Sequence, residues 1–535
     1  MNPDFYKTST NFKDYINGND SLRPFYAEAL SPDWKKLCEN VHQNFKRQDV
    51  VLELRNQNKK SNDSSIQKNV DLLKKEKTLI VVTGQQMGLM VSPLYVVYKT
   101  LSTIKLAEKL NKEVDGFNFV PVYWLEGEDH DFEEVNHLNY FDSAGLLQKL
   151  HLEENEAEKG LPMNKRLLGQ DIEELLKSLK ENLQKTDFSD EFFVNLEKIY
   201  KKGENWLEAF SNHLSIIFSG KGLLLFNAGT KRIKELSKPF FEKVIIENES
   251  LVSAFSRRSN DLSKAGYKNQ VNIQNDRAYL FLNHNDGPRL SLLRQNKSFY
   301  VRELDEQFSL EQMLTMLDEN PSWFSSTVLT RPLWQSWLLP AVSYVAGAAE
   351  IAYWGQLKSG FNQLGLIMPQ IQPRHSITLI EPKIDRLIKK YNVTINSISR
   401  DKTIFLKDYF NRNQLANVNK AFSDYEQLTI KNREAVKNLV AEIDPTLSGP
   451  TEKSFGAILS TIEKLQNRLV NRVREKDETT QKHLGAIFNS LMPSGVLQER
   501  ILSSVYLENK YGQEWINTVY NEIDENFQHH LVVKI

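Results

Sequence analysis

The sequence predicts an α/β protein built on an open parallel sheet, interrupted by insertions and followed by a long helical region. Three observations carry this expectation. Thr78 to Val82 and Phe119 to Leu125 are short apolar runs fit for buried strands, and each discharges into a polar loop. Gly222-Leu223-Leu224-Leu225-Phe226-Asn227-Ala228-Gly229 repeats the theme, and beyond Pro382 the apolar period becomes almost purely helical. In a parallel sheet such loops share the carboxyl edge, where open α/β sheets bind ligands.

Composition narrows the function classes. At 535 residues the chain exceeds one compact core and suggests roughly three domains, or one large domain with insertions. Hydrophobic residues at 40% and charged residues at 26% exclude a disordered chain. Lys plus Arg at 68 balances Asp plus Glu at 69, so no general field draws nucleic acid or an anionic membrane, and neither is expected as a partner. The single cysteine, Cys38, excludes an intramolecular disulfide and a cysteine-ligated metal cluster, fits a reducing compartment, and reads as a packed side chain. The polar amino terminus and the lack of any apolar run of membrane-spanning length place the expected location in the cytoplasm.

In chain order, residues 1–76 are an N-terminal helical segment, with a helix expected from Ser31 to Phe45, and 77–142 are the first part of the core. After the strand at Thr78, Gly84 and Gly88 stand where a backbone must turn tightly or let a ligand come close. Ser92 as N-cap and Pro93 as first residue should then open a helix carrying Leu94, Val97, Leu101 and Ile104. Residues 143–220 read as a helical insertion, 221–250 as core, and 251–325 as a β-rich insertion rich in Asn-Asp and Asp-Gly-Pro turn signals. The core resumes over 326–376. The segment 377–495 is the helical domain, in which Phe455, Ile458, Ile462, Leu465 and Leu469 keep an a/d spacing and Val436, Leu439 and Ile443 repeat it. Two long antiparallel helices should meet near Asp444 to Pro450, either as an internal hairpin or as a dimerising seam, and 496–535 should return to the core.

The candidate chemistry lies in the edge loops. The Thr83 to Gly88 loop can cradle a phosphate or carboxylate ahead of a helix N-terminus, although it is neither a P-loop nor Gly-x-Gly-x-x-Gly; a plain strand-to-helix turn is the alternative. Gln85 and Gln86 can both donate and accept, which suits a polar substrate. The loop Glu128 to His137 crowds five carboxylates and two histidines into ten residues, which calls for a visiting cation or positive substrate. A metal site from His130, Asp131 and His137 matches no standard zinc spacing. Recognition of an ammonium by Glu128, Asp129 or Asp131, with His130 as acid or base, is more economical. The candidate catalytic residues are therefore His130, Asp129 and Asp131. The candidate substrate-binding residues are Gly84, Gln85, Gln86, Gly88, Glu128, Asn136, His137, Asn227, Arg331, Glu350, Tyr353 and Arg374. Arg331 and Arg374 suit an anion or a salt bridge, and Glu350 and Tyr353 share a helical face.

The segments Thr83-Gly84-Gln85-Gln86-Met87-Gly88-Leu89, Trp124-Leu125-Glu126-Gly127-Glu128-Asp129-His130-Asp131, Ala346 to Tyr353, Pro373-Arg374 and Gln498-Glu499-Arg500 together resemble the bacillithiol biosynthesis family BshC, over nearly the whole chain. The resemblance implies a Rossmann-like, nucleotidyltransferase-like core with connecting insertions, and a C-terminal coiled-coil domain through which the family forms homodimers. It implies a ligase that adds L-cysteine to the amino group of glucosaminyl-malate. A free carboxylate is a poor electrophile, so activation by ATP or another nucleotide, with Mg at most as the nucleotide's companion, is expected. The rival readings are a metal-dependent hydrolase using the Glu128 to His137 loop and a non-enzymatic coiled-coil scaffold.

Overall fold

The computed structural model describes residues 9–27, 32–43, 48–59, 61–398, 401–413, 415–524 and 529–535. The chain divides into a unit of residues 1–378, 499–533 and 535 and a second unit of residues 379–498 and 534. Of the expected helix from Ser31 to Phe45, Trp34–Gln43 is helical, while Ser31 and Phe45 lie outside the described residues.

The first unit is organised by a five-stranded parallel sheet. Its strands are β1 (Thr78–Gln85), β2 (Asn118–Leu125), β3 (Leu224–Asn227), β4 (Ala341–Ala346) and β5 (Gln370–Pro373), in the order β5-β4-β1-β2-β3. The chain steps outward from β1 to β3 and then returns to the other side for β4. The direction of winding reverses between β1 and β4, so the loops that follow them part and leave a crevice. Alternation along β1 serves two cores. Leu79 and Val81 pack with Leu37, Cys38 and the helix α1 (Tyr95–Glu113), through Leu106 and Leu110. Ile80 and Val82 face the larger cluster that contains Trp124, Phe226, Phe241 and Trp334. Burial pushes the Cys38 thiol up to about 12, as suits a packed side chain.

Several expectations need correction. Gly84 is strand, not turn: β1 continues to Gln85, and a Cβ on Gly84 would come 2.9 Å from the Trp124 carbonyl oxygen. Gly88 does mark the turn, since a Cβ there would come 2.0 Å from the Ser92 carbonyl oxygen. The helix opens at Tyr95 rather than Pro93, because buried Leu89, Met90 and Val91 first form a 3-10 turn. The Leu94 N–H then donates to the Leu502 carbonyl at 2.8 Å, so one of the orphan donors of this helix end is taken up within the protein.

The helical insertion starts with a hairpin, His137–Phe141 against Leu147–His151, because Asp142 accepts the Ala144 and Leu146 amides and Gly145 takes a positive φ. Helices Asp171–Asn182, Ser189–Ile199 and Trp206–Ile217 follow. The segment expected to be β-rich begins inside a helix, Asn248–Lys264. It then forms a meander of Arg277–Leu282, Leu290–Gln295, Ser298–Val301 and Glu306–Ser309, with Phe324–Ser326 added antiparallel to the first strand. The helix Gln498–Ile501 brings Glu499 beside Arg374, whose two terminal nitrogens donate to its oxygens at 2.7 and 2.9 Å.

In the second unit the helices α4 (Ala416–Ile443) and α5 (Ser448–Lys476) form an antiparallel hairpin closed by Pro445–Leu447. Asn419 meets Gln466 and Lys437 meets Glu452 along it. Leu439, Ile443 and Leu465 are nevertheless 60%, 84% and 58% exposed, so the apolar stripe is not consumed by the hairpin. Among the described residues no helix is long and apolar enough to cross a membrane.

The Arg374–Glu499 pair generates the first prediction. Removing only Arg374 leaves Glu499 buried without its cation, so Arg374→Ala should destabilise the protein by about 3–5 kcal/mol, whereas Arg374→Met with Glu499→Leu should cost far less. Urea unfolding of the variants measures both; equal losses would contradict a buried-pair origin.

Candidate active site

The crevice at the carboxyl edge holds a cavity of about 530 Å³. Four of the five strand ends contribute to it: Gln85 at the end of β1 and Gln86 after it, Glu126, Glu128, Asp129 and His130 after β2, Ala228 after β3, and Glu350 and Tyr353 after β4. The β2 loop is held in place by backbone bonds, Met163 N–H to the Asp129 carbonyl at 2.7 Å and Asn164 N–H to the Gly127 carbonyl at 2.8 Å.

The crowded carboxylates are neutralised from within. Glu350 pairs with Lys99 of α1 at 2.5 Å, and Glu126 with Arg331, the first residue of α3 (Arg331–Leu338), at 3.0 Å. Glu128 pairs with Lys234 of α2 (Lys231–Ile246), and Asp129 with Arg289, which lies between two strands of the β insertion, at 3.4 Å. Each of these four carboxylates thus has a cation supplied by a different segment. Both lysine side chains are almost wholly inaccessible, and burial lowers their pKa values while the paired glutamates raise them. Of the five carboxylates in the Glu128 to His137 loop, Glu128 and Asp129 thus have cations supplied by the protein itself.

The four carboxylates differ in what they can still do. Glu350 is saturated, accepting Lys99 and the Gly347 N–H at one oxygen and the Tyr344 hydroxyl at the other. Burial opposes ionisation of Asp129, but Arg289, the Gln86 amide at 2.7 Å and the His130 N–H at 2.8 Å hold its carboxyl below the usual range. Burial, reinforced by Asp129 and opposed by Arg331, pushes Glu126 up to about 7. His130 packs edge-on against Phe281 rather than Trp124, with ring centroids 5.9 Å apart. Burial and Arg289 both lower its pKa, so the ring is neutral at pH 7. An Arg289 N–H faces its Nδ1 at 3.5 Å, whereas the nearer Asp129 oxygen is 3.7 Å away, beyond hydrogen-bond reach. Nδ1 accordingly accepts, and the ring presents Nε2–H to its surroundings.

Not every expected residue reaches the cavity. Asp131 is exposed and caps the short helix Phe132–Val135 by accepting the Glu134 amide. Asn136 is buried, donating to the Leu152 carbonyl at 3.0 Å, and His137 is the first residue of the hairpin strand. Asn227 caps its own turn by accepting the Gly229 N–H, and Arg374 is committed to Glu499. Gly84 lends its carbonyl to Lys99, at 2.6 Å, and Gly88 shapes the turn. Lys99, Glu126, Lys234, Arg289 and Tyr344 were not expected. A signal for Lys99 exists in the run Lys99-Thr100-Leu101-Ser102-Thr103, an almost uncharged stretch that is wholly buried.

Comparison with known proteins places this geometry. Residues 2–375 match the family model of the N-terminal Rossmann-like domain of bacillithiol biosynthesis BshC, and residues 377–535 match that of its C-terminal coiled-coil domain. The chain is 28% identical over 527 residues to a Bacillus licheniformis protein named "Putative cysteine ligase BshC", covering 98% of this chain and 97% of the relative. A Bacillus velezensis protein of the same name is 29% identical over 533 residues, covering 97% of each chain. The Salinibacter ruber one is 30% identical over 478 residues, covering 88% of this chain and 86% of the relative. The parallel sheet with its winding reversal, the helical hairpin and these matches agree, and the chain belongs to the BshC family of bacillithiol biosynthesis proteins.

Proposed function

We propose that the protein is a ligase that joins the carboxyl group of L-cysteine to the amino group of glucosaminyl-malate, the last step towards bacillithiol, after activation of that carboxyl by ATP or another nucleotide. The observation that supports this best is the cavity's sorted charge: Glu126, Glu128, Asp129 and Glu350 are each matched by an internal cation, and a polar, sheltered space remains. In this reading Gln85, Gln86 and Tyr353 fix the activated cysteinyl carboxyl, and His130 Nε2–H donates to the oxygen that gains charge as the tetrahedral centre forms. Asp129 positions the Gln86 amide and Arg289 rather than exchanging protons itself. Arg277 lines the cavity with no ion-pair partner among the described residues, which suits it to a substrate carboxylate. The unspent apolar stripe on the helical hairpin supports a homodimer formed through it.

Incubating the purified protein with cysteine, glucosaminyl-malate and ATP tests the reading directly. The expected product is the amide, with stoichiometric cleavage of the nucleotide; failure to form it with any nucleoside triphosphate would refute the assignment. His130→Ala should lower kcat by about 10- to 1000-fold with little change in KM or melting temperature. A variant with near-normal turnover would remove His130 from the chemistry.

Light scattering should give the mass of a dimer for the wild-type chain. Ile458→Glu, Ile462→Glu and Leu465→Glu together should give a folded monomer, and an unchanged mass would place the stripe inside one chain.

A further inference from the structure

Resting on the ligase reading, we infer that Glu126 is the general base that takes the proton from the attacking substrate ammonium. The argument is one of elimination by hydrogen bonding. The base sought is a carboxylate with one oxygen that no hydrogen bond engages, and its protonation must not strand a neighbour. Glu350 has no free oxygen, because Lys99, Gly347 and Tyr344 occupy both. Asp129 is held at both oxygens by His130 N–H, Arg289 and Gln86. Glu134 also lines the cavity, but it is open to solvent and accepts the Gln86 amide at 2.8 Å, so it is less sheltered than Glu126 and tied to a residue that would hold substrate. His130 turns an N–H, not a lone pair, away from Arg289.

Glu126 and Glu128 remain, and their cations separate them. Lys234 is buried and, besides Glu128, donates only to the Phe324 carbonyl among the described residues, so a proton on Glu128 would leave a buried ammonium with a single neutral acceptor. Arg331 is supported independently of Glu126. Its Nη1 donates to Gln335 at 2.8 Å, and its Nη2 to the Tyr344 and Tyr353 hydroxyls at 3.3 Å each, so only Nε is shared with the carboxylate, at 3.0 Å. Glu126 can therefore gain a proton while the guanidinium keeps three acceptors. Its other oxygen has no hydrogen-bond partner among the described residues, and the side chain lines the cavity. A carboxyl pushed up towards neutrality by burial suits a proton acceptor working near pH 7.

The step balances as follows. The substrate ammonium gives one proton to the Glu126 carboxylate. The freed nitrogen lone pair attacks the acyl carbon of the nucleotide-activated carboxyl, a C–N bond forms, and the acyl C–O bond breaks with its pair on the departing phosphate oxygen. The second nitrogen proton leaves to solvent.

The test is the pH dependence of Glu126→Gln, which keeps the shape and removes the basicity. Turnover should fall by roughly 100-fold at pH 7. The deficit should shrink by about tenfold by pH 9, where the substrate amine arrives already neutral. Glu126→Asp should recover part of the rate at pH 7. A deficit in Glu126→Gln that is the same at both pH values means a structural partner of Arg331 and overturns the assignment. Near-normal turnover at pH 7 overturns it as well. A wild-type protein that forms no amide from cysteine and the amino sugar overturns the ligase reading itself, and the assignment with it.

Discussion

A carboxylate buried beside others is tolerable only if each has its own cation, and this constraint explains much of the first unit. Four acidic side chains at the carboxyl edge need four partners, and the sheet's own loops do not carry them. Lys99 comes from α1, Lys234 from α2, Arg331 from α3 and Arg289 from the β insertion. The insertions and covering helices are therefore not decoration on a sheet. They complete its electrostatics, and the cavity they enclose could not be assembled by the five strands alone.

The same matching separates the residues by function. Where a cation has a single carboxylate and few other acceptors, as Lys234 has in Glu128 and the Phe324 carbonyl, the two side chains are locked together. Where the cation has other acceptors, as Arg331 has, the carboxylate is free to change protonation state. Two chemically identical glutamates two positions apart, Glu126 and Glu128, thus acquire different capacities from the company they keep. Asp129 goes a third way: it spends its oxygens on aligning Gln86 and Arg289, and Arg289 in turn faces the His130 ring.

The sequence revealed the strands because their pattern is local. Thr78 to Val82 and Phe119 to Leu125 read as buried strands and lie within β1 and β2, and the loops after them meet as their place on a parallel sheet required. The helical hairpin was legible for the same reason. The cations were not, because pairing of Lys99 with Glu350 or Lys234 with Glu128 spans long separations and leaves no periodic trace. Asn136, His137 and Asp131 looked like site residues through nearness in sequence to His130, yet the chain turns into a short helix and a hairpin there and carries them away. Arg374 misled differently: its partner Glu499 is 125 residues further on, in a segment whose return to the core was visible but whose register was not.

The most direct test of charge matching is a double-mutant cycle on Lys234 and Glu128, read by urea unfolding. If the pair is locked as described, Lys234→Met and Glu128→Gln should each destabilise by about 3 kcal/mol or more, and the double variant should cost much less than their sum, with a coupling of about 2 kcal/mol or more. Losses that add to within about 0.5 kcal/mol would mean that the two charges do not depend on each other, and would contradict the account.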